Sequence, residues 1–172
     1  MMSSRRILKT LLGILNSSLV EWYYKRTTVP KANGFFIYNV MFLKTIPIPD
    51  ADEIQTEGIA AIVDILLYIS PVFSSVQSHA TRDQLMLPFL KQILNGLVYE
   101  LYFPEELHGA GLRLFDIVAK AKLPDINTIA ESNRLTTLRD KFADLYDPSH
   151  PLRIALDKLQ TLDTVRIIEG KA

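Results

Sequence analysis

The chain has 172 residues, 48% of them hydrophobic and 22% charged, an ordinary balance that excludes extended disorder and leaves enough length to bury one proper core. It has no cysteine, which excludes disulfides and thiolate metal sites and points to a reducing, cytoplasmic setting. The formal net charge is zero, yet residues 1–50 hold seven basic side chains against two acidic ones and the remainder is acidic; such a basic first third either faces phosphate or is a chance excess.

Met1 to Arg6 followed by the apolar run Ile7–Leu15 has the outline of a secretory signal. Lys9 interrupts the run and Asn16-Ser17-Ser18 is a poor cleavage site, so the stretch is read as part of the fold. Ile7, Leu11, Ile14, Leu15, Leu19 and Trp22 recur at helical spacing and predict one helix over 5–25, with Ser3 or Ser4 as its cap. Pro30 and Asn33-Gly34 make 27–34 a loop. Phe35 to Leu43 is short, aromatic and β-branched, which predicts a strand in its first half, or a short helix from Asn39 to Lys44. Ile46-Pro47-Ile48-Pro49 removes two backbone donors and marks a boundary.

Beyond it the pattern is helical. Asp50 or Asp52 caps a helix predicted to run to Ser70, and a polar link follows Pro71. A second helix is predicted from Thr81 or Asp83 to Phe103, with the seam Met86, Leu90, Ile93, Leu94, Leu97, Val98 and Leu101. Pro88 fits only a first turn, which would move its start towards Leu87. Pro104-Glu105-Glu106 opens a third helix ending near Leu123-Pro124, with carboxylates at the positive end of its dipole. Asp125 begins a fourth segment, and a last helix spans Leu152 to Leu162. No segment reaches the roughly 20 apolar residues that a membrane helix needs. The expected architecture is therefore mainly α: a small α/β piece over residues 1–48, then a helical bundle over 49–172.

Catalytic constellations are missing from the pattern. His79, His108 and His150 have no partner at metal-ligand spacing. There is no Gly-x-Ser-x-Gly turn, and Gly109-Ala110-Gly111 is too short for a phosphate loop and follows no strand. No catalytic residue, metal or cofactor is expected. Lys25, Arg26 and Lys31 flank the first loop beside Trp22, Tyr23 and Tyr24. Basic residues among aromatics suit a nucleic-acid surface, but on the residues alone a solvated loop with aromatics packed beneath it fits better.

Leu12-Gly13-Ile14-Leu15-Asn16-Ser17-Ser18-Leu19, followed by the aromatic stretch Phe35–Leu43 and by Lys44-Thr45-Ile46-Pro47-Ile48-Pro49, resembles the close of the target-recognition domain in restriction–modification adenine-N6 DNA methyltransferases. The phrase Leu97 to Leu107 and the ending His150 to Gly170 are similar to the C-terminal region of the large type II (type IIG-like) members that fuse nuclease and methylase. The resemblance implies a role in holding double-stranded DNA for a domain that flips adenine and uses S-adenosylmethionine. The family's Asn-Pro-Pro-Tyr motif, its glycine-rich cofactor motif and a nuclease motif are absent from this sequence. The expectation is thus a non-catalytic recognition and scaffold fragment or subunit. Lys25, Arg26 and Lys31 would contact phosphate, and a methyltransferase or restriction subunit, or a second copy, would be the protein partner; no membrane is involved. The alternative is a helical protein–protein interaction module with no DNA role.

Overall fold

The computed structural model describes residues 4–30, 36, 39–74 and 81–171. These residues are mainly helical, and none of them lies in a strand. The helix predicted over 5–25 is two: α1, Ser4–Leu15, and α2, Ser18–Thr27. Ser17 makes the break. Its backbone is extended, its hydroxyl donates to Ile14 O at 2.7 Å, and its Oγ accepts the Val20 N–H at 3.3 Å. One side chain therefore closes α1 and caps α2, which outweighs the continuous apolar spacing. Asn16 supports it by donating from Nδ2 to Leu12 O at 2.8 Å.

The α/β piece expected over residues 1–48 shows no strand among the described residues, and the short helix offered as the alternative from Asn39 to Lys44 is present. Val40–Leu43 is a short helix, α3, where the first residue outside it, Asn39, accepts the Met41 N–H at 2.9 Å. Phe35, Ile37 and Tyr38, where the strand was expected, lie outside the described residues. The Asn39 N–H donates to the Tyr24 hydroxyl at 3.0 Å, which hooks this segment to α2.

Two long helices form the centre: α4, Glu53–Ser74, and α5, Thr81–Tyr102. Asp52 and Gln55 open α4 reciprocally. Asp52 Oδ1 accepts the Gln55 N–H at 2.8 Å, and Gln55 Oε1 accepts the Asp52 N–H at 2.9 Å. α5 starts at Thr81 as expected and not nearer Leu87, and both helices run through a proline, Pro71 in α4 and Pro88 in α5. The carbonyls that lose a donor belong to Leu67 and Gln84, both exposed residues, a position that lowers the cost of an unpaired carbonyl because solvent is close. The predicted seam holds: Met86, Leu90, Ile93, Leu94, Leu97, Val98 and Leu101 are all buried.

The third predicted helix is also two, α6, Pro104–Gly109, and α7, Leu114–Ala121. Gly111 has φ +73°, a left-handed conformation that a side chain disfavours, and the Leu112 N–H closes α6 onto Leu107 O at 2.8 Å. Then come α8, Glu131–Leu145, α9, Pro151–Leu159, and α10, Asp163–Ile168, which carries the fold past the predicted end of the last helix.

α1 packs on α4 and α2 on α5; α7 and α9 cover the other side, and α8 reaches α5. The last contact is aromatic, with Phe89 edge-on to Phe142 and to Tyr146 at 5.6 and 5.3 Å. One apolar cluster joins Ile14, Leu19, Val20 and Tyr24 to the buried faces of α4, α5, α7, α8 and α9. Glu53–Phe73 is, by length and composition, long and apolar enough to cross a membrane, contrary to the sequence expectation. Its Ile59, Ile62, Val63, Ile65 and Ile69 are spent on this core, as in the central helix of a bundle.

Ion pairs tie the basic first third to the acidic remainder. Arg6 pairs with Glu57, and Lys9 with Asp64. Deeper in, the buried Asp83 carboxylate receives Nε and Nη2 of Arg139 at 3.0 and 2.5 Å, which raises the guanidinium pKa further. The Tyr102 hydroxyl donates to Pro47 O at 2.7 Å, and burial pushes its pKa up to about 12. That bond seats the proline-rich boundary against α5.

Candidate nucleic-acid interface

Successive turns of α2 place Ser18, Glu21, Trp22, Lys25 and Arg26 along one face. The same three-and-four spacing places Pro88, Lys91, Gln92 and Asn95 along one face of α5. These two faces and the segment Ile167–Lys171 line a groove of about 600 Å³. Reciprocal bonds set the spacing of its walls: the Ser18 N–H donates to Asn95 Oδ1 at 2.9 Å, and Asn95 Nδ2 donates to Ser18 Oγ at 2.8 Å. At the third side, Glu169 accepts from the Tyr99 hydroxyl at 3.3 Å and from Lys171 Nζ at 2.5 Å. Burial, then the Glu169 charge, raises the Tyr99 pKa, so this phenol stays a donor.

Four cations and two carboxylates face the groove. Lys25 lies 2.5 Å from Glu21, and Lys171 2.5 Å from Glu169. The Arg26 guanidinium sits 4.3 Å from the Trp22 ring centroid, a cation–π arrangement that fixes its plane. Lys91 is exposed on α5, and neither it nor Arg26 has a carboxylate partner among the described residues.

Of the residues expected to contact phosphate, Lys25 and Arg26 lie together in the last turn of α2 and share this groove. Lys31 lies outside the described residues. The three neighbouring aromatics divide their roles. Trp22 lines the groove, Tyr23 is half-buried, and Tyr24 is wholly in the core. Lys91 and Lys171 were not legible beside them, because chain distance hides a contact made across the fold. The available signal was the polar stripe Lys91, Gln92, Asn95 beside the apolar seam of the helix.

Several other titratable groups have structural partners. His150 caps α9, its Nδ1 accepting the Leu152 N–H at 3.1 Å. His108 Nε2 lies 2.8 Å from Glu100 Oε1, and Glu100 Oε2 accepts the Phe115 N–H at 2.9 Å. Glu105 and Glu106 occupy the first turn of α6, where Glu106 accepts from the Thr164 hydroxyl at 2.9 Å. His79 lies outside the described residues. Among the described residues, no three His, Cys, Asp or Glu side chains gather where they could hold a metal ion. No family model, curated protein or solved structure matches the chain significantly.

Proposed function

We propose that this chain is a non-catalytic, DNA-holding recognition and scaffold part of a restriction–modification adenine methyltransferase, acting in the cytoplasm beside a catalytic subunit. The observation that supports this reading is the groove. Lys25 and Arg26 meet Lys91 and Lys171 there, next to a stacking aromatic. Cations that converge from separate elements on one concavity suit a phosphate backbone better than a uniformly solvated face.

Trp22 lines the groove and is the chain's single tryptophan, so its emission reports occupancy directly. Duplex DNA is expected to shift that emission, with affinity falling steeply as salt rises, by about 0.9 in log–log slope for each phosphate neutralised. The double substitution Lys25→Glu and Arg26→Glu should weaken binding at least about tenfold at low salt, since it puts two negative charges where a phosphate would approach. Native affinity in that variant would remove DNA from the groove.

A second reading is favoured by α1. Its Ile7, Leu8, Leu11 and Leu12 are 50, 65, 36 and 41% exposed and form one apolar ridge at helical spacing, the kind of surface that a helical interaction module uses. On this reading the chain self-associates independently of salt and DNA. Leu8→Glu with Leu12→Glu would then abolish association and leave the fold intact. Sedimentation velocity separates the two readings, because a chain that stays monomeric at every accessible concentration eliminates the second.

A further inference from the structure

The cations of the groove are not equivalent. Lys25 and Lys171 each lie 2.5 Å from a carboxylate of the same groove, Glu21 and Glu169. A phosphate that approaches either lysine must displace or sit beside that carboxylate, so each pair offers little net charge. Arg26 and Lys91 carry no such partner among the described residues. They also stand on different walls, Arg26 on α2 and Lys91 on α5.

Resting on the DNA reading above, we infer that Arg26 and Lys91 form a two-sided clamp on the phosphodiester backbone of one strand, and that Lys25 is not part of it. Arg26 is the preorganised jaw. Trp22 holds the Arg26 Cζ 4.3 Å from its ring centroid, a cation–π contact that uses no N–H donor and reduces the side-chain entropy lost on binding phosphate. Lys91 is the adaptable jaw, a point charge on a flexible stem that follows the strand without demanding one geometry. This chemistry recognises the backbone and not the bases, so the clamp sets register on the duplex and carries no sequence preference.

The test uses the full chain, a labelled duplex of random sequence, and anisotropy measured across a salt series. The variants are Arg26→Ala, Lys91→Ala and the pair Lys25→Ala with Glu21→Gln, all at exposed positions, where thermal midpoints should stay native. Arg26→Ala and Lys91→Ala should each lower the log–log salt slope by about 0.9, and the double variant by about twice that. Between about 50 and 200 mM salt, each single variant then loses about three- to fourfold less affinity than the native chain. Lys25→Ala with Glu21→Gln, which removes both charges of the neutral pair, should keep the native slope. If the native chain binds salt-dependently while Lys91→Ala keeps its slope, or the Lys25→Ala, Glu21→Gln pair loses as much slope as Lys91→Ala, the clamp is overturned and the DNA reading stands. A native chain with no salt-dependent binding of duplex overturns both.

Discussion

Gly13→Leu is expected to strip α1 from the body of the fold and to destabilise it by about 3 kcal/mol or more. A Cβ at Gly13 would already meet Ile59 Cγ2 at 2.8 Å, Val63 Cγ2 at 2.9 Å and Leu94 Cδ1 at 3.1 Å. Two of those atoms belong to β-branched side chains on a helix, whose χ1 has one strongly preferred rotamer. They cannot swing aside, so α1 itself must move away from α4. Gly13→Ala separates the two effects: alanine gains about 1 kcal/mol of helix propensity over glycine, yet the net change should still be a loss of about 1 kcal/mol from overpacking. Urea unfolding provides the measurement. A native midpoint for Gly13→Leu would mean that α1 does not lie against α4 as closely as described.

The same residue gives physical content to the phrase Leu12–Leu19. Gly13 permits the close approach of two helices, Asn16 satisfies a carbonyl at the end of α1, and Ser17 turns the chain and caps α2. Ser18 then ties the turn to Asn95. Every polar member of the phrase thus has a local or packing duty. The break it makes is also what aims the face carrying Trp22, Lys25 and Arg26 at α5. Had α1 and α2 been one straight helix, the two walls of the groove would not meet.

Helical periodicity made the buried seam of α5 legible, and the prolines made the helix-free stretch Ile46–Pro49 legible. Periodicity was also what misled. It ran unbroken across Ser17 and across Gly111, where a single side-chain cap and a single left-handed glycine divide the helices. Pro71 and Pro88 misled in the other direction, because their cost depends on whether the carbonyl four residues back can find water, which spacing alone does not reveal. The charge asymmetry was partly a packing signal: Arg6 and Lys9 are paired with Glu57 and Asp64 on α4. Within the groove, Lys25 and Arg26 were legible as neighbours of Trp22. Lys91 and Lys171 join them only through the pairing of α2 with α5 and α10.

Glu100→Ala is the second substitution expected to cost the fold heavily, by about 3 kcal/mol. Glu100 is 5% exposed near the end of α5, and its carboxylate serves two other elements. Oε2 accepts the Phe115 N–H at 2.9 Å, one of the donors that a helix start leaves without an intrahelical partner, and Oε1 lies 2.8 Å from His108 Nε2 on α6. Negative charge at that end of α7 also complements its dipole. Alanine would orphan the Phe115 N–H beside a buried ring and open a cavity under the α6–α7 turn. Glu100→Gln keeps one acceptor oxygen for Phe115 and should cost only about 1 kcal/mol. His108 is about one-third exposed, so His108→Ala alone should be mild. Combined with Glu100→Ala, its effect should largely vanish, giving a coupling of about 0.5–1 kcal/mol in a double-mutant cycle. Strictly additive losses would instead confine the role of Glu100 to the start of α7 and make its approach to His108 energetically neutral.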